Sequence, residues 1–286
     1  MKLATFTHGG MTRIGVVKKS EILDLSEAAP NLPRDMRSFL RAGEVALETA
    51  AKATGKTFEL AEVQLETPVP NAEKYLAIGL NYGSHLEEVA KLGMTKPEYQ
   101  IWFNKQVSCL NGPYDDLHLP SVSAELDYEC ELGVVIGKSC RHVAVEDAAN
   151  VIAGYTVCND VSVRDWQMRS PTATLGKSFD THGPVGPWIV TPDELGDPHD
   201  LSISTLVNGE TRQSGNTSEM IFNCFEQIAY LSTVMTLEPG DILATGTPAG
   251  VGALADPPNF LKSGDVVRVE IEKIGHIENP VIDEPV

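Results

Sequence analysis

The stretch Asp127-Tyr128-Glu129-Cys130-Glu131-Leu132-Gly133-Val134-Val135-Ile136-Gly137 joins a set of acids to an apolar run rich in β-branched residues. Its second half reads as a buried strand. Side chains two apart on a strand share a face, so Glu129 and Glu131 should stand side by side, with Asp127 as a candidate third. Neighbouring carboxylates repel, and either one takes up a proton or a cation bridges them. A hard divalent ion with its preference for oxygen ligands resolves the conflict. The alternative is an exposed strand entry, with the acids in water and no ion.

A second acid shifts the balance. Asp160 ends another apolar run, VIAGYTVCND (151–160), and VSVRDWQ (161–167) follows it. If the two runs are neighbouring strands, their ends gather Glu129, Glu131 and Asp160. The pattern alone does not fix that adjacency.

Working outward, residues 1–28 read as the short strands KLATFTH, TRIGVV and EILDL, with a turn at Gly9-Gly10. Residues 35–54 carry apolar residues at helical spacing. The segment ETPVPNAEK (66–74) holds two prolines and little periodicity, which places a linker there. The boundary falls near residue 70, between a small N-terminal part (1–70) and a main domain (71–286). YLAIGL, ECELGVVIG, VIAGYTVCND, VGPWIV, LSISTLVNG, DILATG and DVVRVEIE are strand candidates beyond it. Helices are expected at SHLEEVAKLG, VEDAANV and EMIFNCFEQIAYLSTV. This is not the regular alternation of a doubly wound sheet. The expected class is α+β, predominantly β: a mixed β-sandwich or rolled sheet with peripheral helices.

The 286 residues are 42% hydrophobic and 22% charged, as in an ordinary globular protein. Forty acidic residues against 22 basic ones give a net charge of −18. That field repels phosphate backbones and anionic lipids, so neither nucleic acid nor a membrane surface is an expected partner. It also repels a small anionic substrate, unless a bound cation reverses the field inside a pocket. No apolar stretch is long enough to span a bilayer, and MKLATFTHGG lacks the apolar core of a secretory signal. Cys109, Cys130, Cys140, Cys158 and Cys224 form no CxxC pair and read as reduced thiols of a cytoplasmic protein.

His85 and Glu88 are three apart in GSHLEEVAKLG, the spacing that places two side chains on one helix face. An imidazole oriented by a carboxylate is the usual general base. Ser84 and Glu87 fit a capping box at the same helix start. Arg164 and Gln167, one turn apart beyond Asp160, could bind substrate oxygens, Arg164 as a planar carboxylate clamp. Its competing partner is the adjacent Asp165. Lys177, in LGKSFD, would by default be a solvated surface lysine. The loop Gly246–Gly252 lacks both the P-loop and the dinucleotide spacing. His118, His142, His182, His199 and His276 show no metal-ligand spacing, and no HExxH, zinc cluster or G-x-S-x-G is present.

Five motifs in order carry a resemblance: IGLNYGSHLEEV (78–89), DYECELGVVIG (127–137), NDVSVRDWQ (159–167), GKSFDTHGPVGPW (176–188) and GDILATGTPAGVG (240–252). Over about residues 68–275 the chain resembles the fumarylacetoacetate hydrolase family. The resemblance implies a mixed β-sandwich roll, a homodimer, and one Mg²⁺ or Mn²⁺ per chain held by Glu129, Glu131 and Asp160. The first 70 residues match loosely, as in bacterial members with a small leading α/β domain. In the family the His85–Glu88 position carries a catalytic dyad on a lid. Lys177 falls in the pocket, where an ammonium stabilises enolate or carboxylate charge. Thr247 donates to a substrate carboxylate, and Asn81 and Tyr82 line the same pocket.

The implied activity is hydrolysis of the C–C bond of an acylpyruvate-type 2,4-dioxo acid, giving pyruvate and a carboxylic acid. One alternative is decarboxylation of oxaloacetate, or a related lyase or isomerase step on a 2-oxo acid. Another is a non-catalytic module that binds a divalent ion and small carboxylates.

Overall fold

The computed structural model describes residues 1–90, 93 and 95–285. Positions 91 and 92, the end of the helix expected over 84–93, lie outside the described residues.

Two sheets form the body. The larger has twelve strands. Its path runs from Thr57–Glu59 through Glu21–Asp24, Met11–Lys18 and Lys2–His8 to Gly183–Val190. It continues through Ile152–Asn159, Cys130–Ile136, Ile242–Ala244 and Tyr75–Gly79 to Ile101–Lys105. The smaller sheet has five strands, in the order Glu210–Asn216, Ser202–Val207, Val266–Ile271, Gly275–Asp283 and Leu117–Leu119. Leu132, Val134 and Ile136 from the first sheet share one core with Ile203, Val267, Val269 and Ile277 from the second. That core is the sandwich interior. On the opposite face, Val135 packs with Leu3, Ile189 and the helix residues Met36, Phe39 and Leu40. Both faces are therefore covered, and every side chain of Cys130–Ile136 and Ile152–Asn159 is buried. That explains the continuous apolar runs.

The N-terminal strands belong to the same sheet. Lys2–His8 pairs antiparallel with Met11–Lys18 on one side and with Gly183–Val190 on the other. The single helix expected over 35–54 is two, Met36–Arg41 and Glu44–Lys52, divided at Gly43, whose φ of +74° interrupts the helical path. VEDAANV forms a 3₁₀ segment, Val145–Val151. The third expected helix starts later than its apolar pattern, at Cys224–Val234, because Asn223 and Glu226 close a capping box there. All five cysteines are free thiols, four of them buried. No helix among the described residues is long and apolar enough to cross a membrane.

Candidate metal centre and active site

The strands Cys130–Ile136 and Ile152–Asn159 are antiparallel neighbours, with Cys130 opposite Asn159 and Glu131 opposite Cys158. This register brings the two acid-bearing ends together. Glu129 lies just before its strand and receives a hydrogen bond from the Asp160 N–H at 2.9 Å on its carbonyl. Its own N–H donates to Asn159 Oδ1 at 3.0 Å. Gly133 lets the partner strand come close, since a Cβ there would meet Cys158 Sγ at 2.5 Å and Thr156 Cγ2 at 2.7 Å. Glu129, Glu131 and Asp160 are all buried, and their ligand oxygens lie within 4.8 Å of one another. The exposed-entry alternative is excluded by that burial.

Three cations surround the trio. Lys177 Nζ donates to Glu129 Oε2 at 2.8 Å and Asp160 Oδ2 at 2.7 Å. Lys105 Nζ donates to the other oxygen of Asp160 at 2.6 Å. Arg164 Nη1 donates to Glu129 Oε1 at 2.6 Å. Burial disfavours the Glu129 charge, yet Lys177 and Arg164 overcome it and hold its pKa down to about 2. Burial likewise works against the Lys177 ammonium, but Asp160 and Glu129 keep its pKa above the ordinary lysine value. Lysine 177 is thus an internal charge, 2% exposed, rather than a surface solvator.

Glu131 is different. Its side chain receives only the Gly246 N–H, at 2.7 Å, and no cation of the described residues pairs with it. Burial, then Asp160, then Glu129 push its pKa well above the carboxylate range. With Asp127, the cluster holds four buried carboxylates against the three cations Lys105, Arg164 and Lys177. A close set of oxygen donors, one of them lacking any positive partner, fits a hard divalent cation.

Asp127 is not a third member of the row. It sits on the short strand Leu126–Asp127 and accepts from Arg164 Nε at 2.8 Å and from the Gly252 and Ala253 N–H groups at 2.7 and 2.9 Å. It therefore ties Arg164 to the glycine-rich loop. Arg164 pairs with Asp127 and Glu129, not with Asp165, which accepts from Ser123 and Arg169 instead. Gln167 Oε1 accepts from Arg164 Nη1 at 2.9 Å. The guanidinium expected to clamp substrate is thus largely occupied in holding Glu129.

The helix Gly83–Ala90 carries His85 into the cleft. His85 Nδ1 lies 3.1 Å from Glu88 Oε2. A carboxylate can only accept, so Nδ1 supplies the hydrogen of this bond. The other Glu88 oxygen accepts from the Gly250 N–H at 3.1 Å. Ser84 does not cap this helix, because the helix already begins at Gly83; its Oγ accepts from the Ala249 N–H at 3.4 Å. Ser84 and Glu88 therefore fasten the helix to the loop 246–252.

The cleft, about 470 Å³, is lined by His85, Glu129, Glu131, Arg164, Gln167, Lys177 and Thr247 on its polar side. Thr247 Oγ1 accepts from Gln213 Nε2 at 2.8 Å, which leaves its own hydrogen for a ligand. Asn81 and Tyr82 do not line the cleft. The Asn81 amide is consumed by backbone groups of Phe222 and Thr245, and Tyr82 is fully buried. Both precede the helix Gly83–Ala90 directly. Lys105, by contrast, has no signal in the sequence: it is an isolated lysine at a strand end, and only the fold carries it to Asp160.

Residues 74–282 match the family described as "Fumarylacetoacetate (FAA) hydrolase C-terminal". The chain belongs to the fumarylacetoacetate hydrolase family. Residues 1–68 match the description "Rv2993c-like, N-terminal". The mitochondrial oxaloacetate tautomerase of Rattus norvegicus is 46% identical over 265 residues, covering 91% of this chain and 84% of the relative. Among solved structures, a fumarylacetoacetate hydrolase from Exiguobacterium antarcticum superposes with a TM-score of 0.87 at 35% identity, covering 99% of this chain and 100% of the other. The maleylpyruvate hydrolase of Sphingobium sp. SYK-6, in complex with manganese(II) and pyruvate, has a TM-score of 0.82 at 36% identity with both chains fully covered. Members of the family thus include hydrolases and tautomerases, and this chain is an enzyme of the same superfamily.

Proposed function

We propose that this enzyme hydrolyses an acylpyruvate-type 2,4-dioxo acid to pyruvate and a carboxylic acid, with Mg²⁺ or Mn²⁺ at Glu129, Glu131 and Asp160. The observation that carries the reading is the oriented His85–Glu88 pair, with His85 on the wall of the cleft that Glu129 and Glu131 also line and Asp160 packed against those two acids. A divalent cation there would polarise an oxygen of the bound 2-oxo acid as a Lewis acid. His85 Nε2 takes a proton from water while Glu88 steadies the imidazolium. The water oxygen joins C4, the C3–C4 bond breaks with its electron pair passing to C3, and His85 returns the proton to that carbon. Thr247 offers its hydroxyl to the substrate carboxylate. Lys177 keeps Glu129 and Asp160 at a fixed separation and adds positive charge beside the developing anion.

The 46% identity to the rat oxaloacetate tautomerase favours a second reading. In it His85 carries a proton between C3 and the enol oxygen, and no C–C bond breaks. One assay separates the two. Pyruvate release is followed from a panel of acylpyruvates, and loss of enol absorbance is followed with oxaloacetate, each with and without chelator. Chelator-sensitive pyruvate release that vanishes in His85→Asn supports hydrolysis. Enol loss without pyruvate release on any acylpyruvate replaces it with tautomerisation. Inactivity in both arms overturns both readings.

A further inference from the structure

The polar end of the cleft accounts for the head of a 2-oxo acid, yet most of the remaining wall is apolar. Ile78, Ile101, Phe103, Met168, Pro171 and Ala173 form it. Phe103 joins the two parts, since Lys177 Nζ lies 5.1 Å from its ring centroid. We infer that this wall is a subsite for an uncharged, apolar chain at the far end of the substrate, so that the enzyme prefers mono-anionic 2-oxo acids over diacids. The inference rests on the hydrolase reading, with the 2-oxo acid head at the three acids, and not on the oxaloacetate reading, whose substrate is a diacid.

Charge makes the case first. Among the described residues the cations lining the cleft are Arg164 and Lys177. Both are spent on buried carboxylates, Lys177 on Glu129 and Asp160, Arg164 on Asp127 and Glu129. Arg164 Nη2, the guanidinium nitrogen without a partner, is closed off from solvent. A second substrate carboxylate would lie against the apolar wall with no positive partner among the described residues, inside a protein of net charge −18. Stripping water from an unpaired carboxylate is strongly unfavourable.

Exposed apolar surface makes the case from the other direction. Met168 is 75% exposed and Ile101 46% exposed at the rim, where nothing in the described chain covers them. Contiguous apolar surface of this kind in a cleft marks ligand contact. A short diacid held at the three acids would leave much of a 470 Å³ space unfilled; an acyl chain would fill it and shield both side chains.

Titration calorimetry on the Mn²⁺-loaded protein tests this without turnover, using pyruvate, 2-oxopentanoate, 2-oxoheptanoate and 2-oxoglutarate. Affinity should rise about three- to fourfold per added methylene, the factor for moving one CH₂ out of water. 2-Oxoglutarate should bind at least about tenfold more weakly than the chain-matched 2-oxopentanoate. Ile101→Arg, at an exposed position that tolerates a long side chain, should flatten the chain-length series and reverse the preference between those two ligands. A flat series with pyruvate bound, tighter binding of 2-oxoglutarate to the unaltered protein, or an unchanged preference in Ile101→Arg overturns the inference. Failure of pyruvate itself to bind overturns the head-group reading, and this inference with it.

Discussion

The Asp160 N–H donates to the Glu129 carbonyl at 2.9 Å, so two carboxylates from separate strands are fixed to each other by main chain before any side chain contributes. A centre built this way has its ligand spacing set by sheet register. Its members differ in what supports them: Glu129 and Asp160 have cationic partners, and Glu131 has only a backbone N–H.

Glu131→Gln should therefore separate metal binding from folding. Mn²⁺ affinity, read by calorimetry, should fall by more than about a hundredfold, beyond what losing a supporting contact produces. The rise in Tm on adding metal should vanish. Melting without metal should hold or improve, because no cation is left unpaired. Wild-type affinity in this variant would remove Glu131 from the ligand set.

Lys105→Met should do the opposite. Its ammonium is fully buried against Asp160 and the Val161 carbonyl. Removing it leaves Asp160 Oδ1 without a cation while Lys177 still holds Oδ2, so the loss should lie between about 1 kcal/mol and the about 3–5 kcal/mol of a fully stranded buried charge. Urea unfolding should show that loss as a lower midpoint with an unchanged slope. A change below about 1 kcal/mol, the range of exposed pairs, would mean that water reaches Asp160 freely.

His85→Asn should lower kcat about 10²- to 10⁴-fold, the usual contribution of a general base, with Mn²⁺ affinity intact. Glu88→Gln keeps the imidazole in place but cannot stabilise its charged form, so a smaller loss is expected. Equal Mn²⁺ weakening in His85→Asn would show that His85 supports the ion rather than the proton transfer.

His182 supplies a pH dependence of stability away from the ligands. It is fully buried, and its Nε2 lies 2.8 Å from the His118 carbonyl. Burial, with Lys105 and His118 nearby, pushes its pKa down to about 4 despite that hydrogen bond. The unfolded chain takes up this proton near the ordinary value of about 6.5. Between the two values the unfolded state binds more protons. Stability is then complete above about pH 6.5, falls as pH drops toward about 4, and stops changing on this account below that. The loss is on the order of 3 kcal/mol in total. Urea midpoints at pH 7 and pH 5 should differ less in His182→Gln; an identical difference would place the proton uptake elsewhere.

Glu129 and Glu131 were legible because strand periodicity and an apolar boundary are local properties of the chain; Asp160 joined them through the family resemblance, since the pattern left the adjacency of the two strands open. His85 and Glu88 were legible too, as a helix spacing. The strands on both sides of the sandwich were legible as apolar runs, but their order was not, and the order is what carries Lys105 to Asp160 and Asp127 to the loop at Gly252. Local pattern also misassigned Ser84, since the helix begins one residue earlier and the Ser84 hydroxyl meets Ala249 rather than the helix start. Asn81 was expected in the pocket through the resemblance; its amide is needed to satisfy Phe222 and Thr245, groups distant in sequence.

Shared sheet architecture has a consequence for cutting the chain. Lys2–His8 covers one side of Gly183–Val190, whose other side supports the strand that ends at Asn159, just before Asp160. A fragment starting near residue 70 would expose bare peptide groups one strand away from the ion-binding ladder. Raw edges of that sort recruit other chains, so such a fragment should clump and bind Mn²⁺ poorly even with every ligand present. The leading segment is, in that sense, a hem for the catalytic fabric.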